Sequence, residues 1–107
     1  MTYKLFLDDL RDPINNDWVI ARSSKEAIEL VEKHGMPIEI TFDHDLGGDD
    51  TSIIFINFLT NYLLDNPFYL SDDFCYSIHS ANPVGRQNID GKMKPLIKEI
   101  MNIKNKG

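Results

Sequence analysis

The chain has little cysteine, little positive charge and no long apolar run. Among its 107 residues there is one cysteine, Cys75, so no internal disulfide can staple the fold. Cys75 falls in an apolar segment and reads as a small buried hydrophobe. Lysine and arginine number 11 against 17 acids, for a net charge of −6. That balance argues against broad, nonspecific nucleic-acid binding, which depends on basic surface. It leaves room for a small phosphate ligand whose charge is offset by a cation. No apolar stretch is long enough to span a bilayer. Met1 to Lys4 run straight into a strand-like segment, so no signal peptide is expected and the cytoplasm is the expected compartment. There is no linker, repeat or low-complexity segment, and the length suits one domain over residues 1–107.

What the chain does have is three polar clusters, each closing a short apolar segment. Asp8-Asp9 follows Lys4-Leu5-Phe6-Leu7. Asp43-His44-Asp45 follows Ile38-Glu39-Ile40-Thr41-Phe42. His79-Ser80-Ala81-Asn82-Pro83 follows Phe74-Cys75-Tyr76-Ser77-Ile78. The apolar segments read as buried parallel strands. In an open α/β sheet, ligands bind beyond the carboxyl ends of the strands, so the three clusters should meet in one crevice.

The remaining segments complete an α/β pattern. Trp18 to Arg22 reads as a second strand. Ser23 and Glu26 form a capping box for a first helix with Ala27, Ile28, Leu30 and Val31 on its apolar face; Gly35 and Pro37 stop it. His34 near its end complements the helix dipole. Gly47-Gly48-Asp49-Asp50 is a loop, with Asp49 and Asp50 solvated or capping. A second helix starts near Thr51, ends before Pro67 and is apolar nearly all round. Such a helix is buried on more than one side, and a homodimer through residues 51–65 is one way to bury the second. Asn82 caps a third helix with Pro83 at its first position. The N–H groups of Val84, Gly85 and Arg86 would then form an anion site. Pro95 should kink or break this helix.

The chemistry follows from residue types at those strand ends. Asp8, Asp9, Asp43 and Asp45 supply hard oxygen ligands suited to Mg²⁺ or Mn²⁺. His79 and His44 are candidates for proton transfer near neutral pH, with Asp43 as a third catalytic candidate. Ser80, Asn82, Arg86 and Arg11 are the candidate phosphate contacts, Arg86 because a cation is badly placed in a first helical turn. Arg11 is weaker than Arg86, as is Arg22, since either could instead only pair with carboxylates.

These residues resemble the receiver superfamily, in which an acidic pair ends the first strand, an aspartate ends the third and Ser/Thr-Ala ends the fourth. Two features depart from it. About eight residues separate the first two strands, too few for a crossover helix, and no fifth strand ending in lysine follows Ala81. The runs Leu7 to Pro13, Phe42 to Gly47 and His79 to Gly85 look like the compact variant called the cyclic-phosphate-processing receiver domain. That resemblance implies a compact three-layer α/β/α, flavodoxin-like sandwich with a mostly parallel sheet of about four strands. It also implies a pocket that processes cyclic phosphate ends of RNA or nucleotides. A metal-dependent phosphoesterase is the first expectation. A phosphoacceptor signalling receiver using Asp43, and a non-catalytic module binding a cyclic nucleotide or a protein, are the alternatives.

Overall fold

The computed structural model describes residues 2–106. Four strands, β1 (Lys4–Leu7), β2 (Trp18–Ala21), β3 (Glu39–Phe42) and β4 (Cys75–Ile78), form one parallel sheet in the order β2-β1-β3-β4. Helix α1 (Ser24–His34) joins β2 to β3, α2 (Ser52–Asp65) and a short 3₁₀ turn (Pro67–Tyr69) join β3 to β4, and α3 (Pro83–Lys106) follows β4. The α/β class, the parallel sheet and the receiver-like order are as the sequence leads one to expect.

Alternation along the strands sorts the side chains. Leu5, Leu7, Ala21, Ile40 and Phe42 point to one face and join a single core with Ala27, Val31, Phe55, Ile56, Leu59, Ile89, Met93 and Ile100. All three helices therefore pack on that face. The opposite face carries Lys4, Phe6, Trp18, Glu39, Thr41 and Ser77, which neighbour one another across the strands. The layering thus differs from a sandwich covered on both sides. Residues 8–17 join β1 to β2 without a helix, and no strand or helix after β4 returns to the second face among the described residues. Cys75 belongs to that uncovered face and is exposed, a correction to its expected burial.

Local signals account for the helices. Ser23 Oγ accepts from the Glu26 N–H (3.1 Å), and Glu26 accepts from the Arg22 N–H (2.8 Å). Gly35 ends α1 at φ 86°, where only glycine sits without strain. Asp50 accepts from the backbone and hydroxyl of Ser24, so it caps α1 from the β3–α2 loop. Helix α2 lies between α1 and α3; its Phe55, Ile56, Leu59 and Leu63 are buried in the core, while Ile54 and Leu64 stay exposed on its outer side. Pro95 does not break α3, which runs unbroken to Lys106. The proline is exposed while Ile89, Met93, Leu96 and Ile100 are buried. The hydrogen bond it forgoes would go to the Gly91 carbonyl on the exposed side, which is open to solvent, and core packing holds both halves. None of the helices is long and apolar enough to cross a membrane among the described residues.

Candidate functional site

The carboxyl ends of β1, β3 and β4 lie side by side, and a crevice of about 750 Å³ opens there. It is lined by Asp8, Asp9, Leu10, Arg11, Asp43, Asp45, Gly47, Ser80, Ala81 and Asn82. One carboxylate oxygen from each of Asp8, Asp9 and Asp43 lies within 4.8 Å of the others.

The three acids differ in surroundings. Asp8 is buried. Its Oδ1 accepts from the Leu10 and Arg11 N–H groups (both 2.9 Å), which is the turn that ends β1. Its Oδ2 accepts from Arg11 Nε (3.0 Å) and from His79 Nε2 (2.9 Å). Burial pushes this carboxyl up, but the Arg11 and Leu10 N–H groups, His79 and the Arg11 charge together hold it below the usual range. Asp43 is also buried and accepts from the N–H of His44 (2.9 Å). Burial, then the charge of Asp8, push its carboxyl above the usual range against Arg11 and the His44 N–H. Asp9 is half-buried, and its carboxylate takes no hydrogen bond among the described residues. Gly47 turns the β3–α2 loop past it at φ 94°; a Cβ there would stand 3.5 Å from Asp9 Oδ2.

This donor set fits a hard divalent cation. Three carboxylate oxygens converge, one carboxylate takes no hydrogen bond among the described residues, and another is held at an electrostatic disadvantage that a cation would relieve. Asp45, expected as a fourth ligand, stands outside the cluster. It is exposed, with Oδ1 bonded to His44 Nδ1 (3.0 Å) and Oδ2 accepting from Asn82 Nδ2 (3.3 Å). Those two contacts hold its carboxyl below the usual range.

The cationic and polar candidates are redistributed. Arg11 lies over the acids, with its guanidinium 3.0 Å from Asp8 and 3.7 Å from Asp43. Arg86 does not reach the crevice. Its guanidinium donates to the Ile78 and Ser80 carbonyls at the end of β4 (3.1 and 3.2 Å) and faces a different groove. Arg22 braces the β1–β2 connection by donating to the carbonyls of Asp8 and Arg11. Ser80 is buried and lines the crevice; its Oγ accepts from the Asn82 N–H (3.1 Å). Asn82 caps α3 as expected, yet its cap uses up the supposed anion site. The Val84 and Gly85 N–H groups donate to Asn82 Oδ1, and the Arg86 N–H donates to the Asn82 carbonyl.

Neither histidine lines the crevice. His44 packs against the first turn of α3, where a Cβ on Gly85 would come within 2.5 Å of its ring. A glycine in a first helical turn is a signal of such close packing, and it ties two of the three motifs together. His79 stands one hydrogen bond behind Asp8, on the uncovered face of the sheet. Its ring stacks on Phe6 (4.8 Å), and its Nδ1 meets Thr41 Oγ1 (2.9 Å), which Ser77 Oγ also contacts (2.9 Å). An ionised Asp8 only accepts, so Nε2 carries the proton. In the neutral ring, Thr41 then donates to Nδ1. Thr41 escapes a reading of the sequence alone. Its one signal is a polar residue two positions before Asp43, on the face opposite the core.

A family model described as the cyclic-phosphate processing receiver domain matches residues 3–95. No curated protein and no solved structure gives a match. The matched stretch holds all four strands, both shorter helices and every residue lining the crevice, and on it the chain belongs to the cyclic-phosphate processing receiver domain family.

Proposed function

We propose that this domain hydrolyses a cyclic phosphodiester, of a nucleotide or an RNA end, with the help of a divalent cation. The observation that carries the reading is the convergence of three carboxylates beside Arg11 and Ser80 in one open crevice. Asp9 and Asp43 would hold the cation directly. Asp8, whose two oxygens already accept four hydrogen bonds, would shape the site more than fill it. Bound there, Mg²⁺ or Mn²⁺ supplies charge that polarises a phosphoryl oxygen.

The chain's own groups do the rest. Arg11 binds phosphoryl oxygens and stabilises the charge that builds on them. Ser80 Oγ receives the Asn82 N–H and is free to donate its own proton to the phosphate. Asp45, exposed at the rim and held by His44 and Asn82, orients the attacking water by accepting its hydrogen bond. The water's hydroxyl goes to phosphorus, and the proton ends on the ribose oxygen that leaves. His44 acts through Asp45, and His79 acts through Asp8 as a positioning residue.

A second reading has one observation in its favour. Arg11 lies 3.7 Å from Asp43, where it would neutralise a phosphoryl group carried by that aspartate in a signalling receiver. Incubation with 2′,3′-cyclic nucleotides, cyclic-ended RNA and cyclic oligonucleotides, each with Mg²⁺ or Mn²⁺, separates the readings. Monoester product that is lost on chelation supports hydrolysis. Labelling of Asp43 by acetyl phosphate, with every cyclic compound intact, supports signalling. A tightly bound cyclic nucleotide recovered unchanged supports sequestration.

A further inference from the structure

Directly behind the acidic crevice, on the uncovered face of the sheet, lies a second groove of about 390 Å³, a volume in the range of small-ligand sites. Its floor is aromatic. Phe6 and Trp18 meet edge to face with ring centres 6.3 Å apart. Pro13 and Ile14 from the β1–β2 connection form one wall and His79 stands at the end nearest the crevice. No carboxylate lines it, in contrast to the crevice next door. Ile14 is fully exposed, a large apolar side chain with nothing to cover. Asn15, at the same rim, accepts from the Asp17 N–H through Oδ1 (3.0 Å), which leaves its amide N–H₂ group free.

We infer that this groove is a nucleobase subsite, serving the ligand whose phosphate sits at Arg11; the inference rests on the cyclic-phosphate reading above. The distances join the two sites. The His79 ring stacks on Phe6 at 4.8 Å and donates to Asp8 at 2.9 Å. Phe6 is therefore one imidazole from the acidic crevice, and Trp18 lies one ring further along the same face. His79 already covers one face of Phe6, and Lys4 Nζ stands 5.6 Å from the Trp18 ring centre, so a base would stack on the half-buried Trp18 ring beside Pro13 and Ile14, where the free amide of Asn15 meets a base edge.

Trp18 is the chain's single tryptophan, so intrinsic fluorescence reports on this groove. The probes are adenosine 2′,3′-cyclic monophosphate and its base-free counterpart, 1-O-methylribose 2′,3′-cyclic phosphate, each titrated into the full chain with Mg²⁺. The adenosine compound should quench Trp18 saturably, and the base-free one should not. Calorimetry should show the adenosine compound binding more tightly by roughly 5- to 100-fold, the range one base–aromatic stack supplies. Trp18→Ala should erase most of that difference without changing the base-free affinity. Ile14→Ala, at a side chain whose loss cannot disturb the core, should reduce it several-fold. Equal affinities, no quenching at saturation, or variants that weaken both probes alike would overturn the subsite. Binding with quenching but no turnover would keep the subsite and refute hydrolysis. Equal kcat/KM on both probes would do the reverse, and no binding of either would refute both.

Discussion

Replacing Asp43 with asparagine should make the cation-free protein more stable and the cation-loaded protein less so. Asp8 and Asp43 hold carboxylate oxygens within 4.8 Å of each other. At an effective dielectric near 20 that is a repulsion of roughly 3 kcal/mol. Arg11, 3.7 Å from Asp43 but half-exposed and shared with Asp8, offsets most of it. The burial of the charge is not offset, and it is the main reason the Asp43 carboxyl is held above its usual range. A group whose folded-state value is raised stabilises the fold on the acid side and loses that contribution as pH rises through the raised value. At neutral pH the wild type carries the whole of that burial cost. The substituted amide keeps an oxygen for the His44 N–H and removes the charge, so Tm should rise in chelator. Cation at a hundred times its Kd should add about 2.7 kcal/mol to the wild type and little to Asp43→Asn. Thermal melts of both proteins in chelator and in Mn²⁺ give the four numbers. A lower Tm for Asp43→Asn in chelator, or equal Mn²⁺ stabilisation of both proteins, would refute the reasoning.

Asp8 should show the opposite pH dependence. Its folded-state value is lowered, so its contribution is present above the ordinary carboxylate range and fades as pH falls through the depressed value; in denaturant titrations the gap between wild type and Asp8→Ala should narrow on acidification. Gly85→Ala should cost about 1–3 kcal/mol by driving a Cβ into the His44 ring, and His44→Ala should make the double variant lose less than the sum. Pro95→Ala should stabilise α3 by up to about 3 kcal/mol, because it restores an N–H at an exposed position, measured as a rise in the unfolding midpoint. Arg11→Ala should lower kcat/KM on a cyclic phosphodiester at least tenfold while Arg86→Ala stays near wild type, reversing the weight that helix position alone gives the two arginines.

The strands, their ends and the helix caps are legible in the sequence because each rests on local rules. Apolar runs of strand length end in polar clusters, Ser23 and Glu26 cap reciprocally, and Asn82-Pro83 opens a helix. The acidic cluster is legible for the same reason, since parallel strands bring their carboxyl ends together. Side-chain direction is not. Whether Arg86 turns toward the crevice or toward the Ile78 carbonyl depends on which acceptors the end of β4 leaves free. Whether His79 enters the crevice depends on which face of the sheet its strand parity selects, and parity sends it to Phe6 and Thr41. The N–H groups at the start of α3 look open in the sequence, where a cap residue is a signal and the donors it consumes go uncounted. Pro95 misleads because local propensity yields to a helix whose buried side chains lie on both sides of the proline. The uncovered sheet face follows from topology, because with no helix between β1 and β2 residues 8–17 reach it only at its edge, through Pro13, Ile14 and Asn15.

The most direct test of the central claim is a ³¹P NMR record of adenosine 2′,3′-cyclic monophosphate incubated with the protein and Mg²⁺ in ¹⁸O-enriched water. The cyclic resonance should be replaced by a monoester resonance carrying the ¹⁸O isotope shift with wild type, and with neither Asp9→Asn nor Asp43→Asn. A cyclic resonance that persists unchanged with wild-type protein shown by calorimetry to bind both Mg²⁺ and the nucleotide would contradict it.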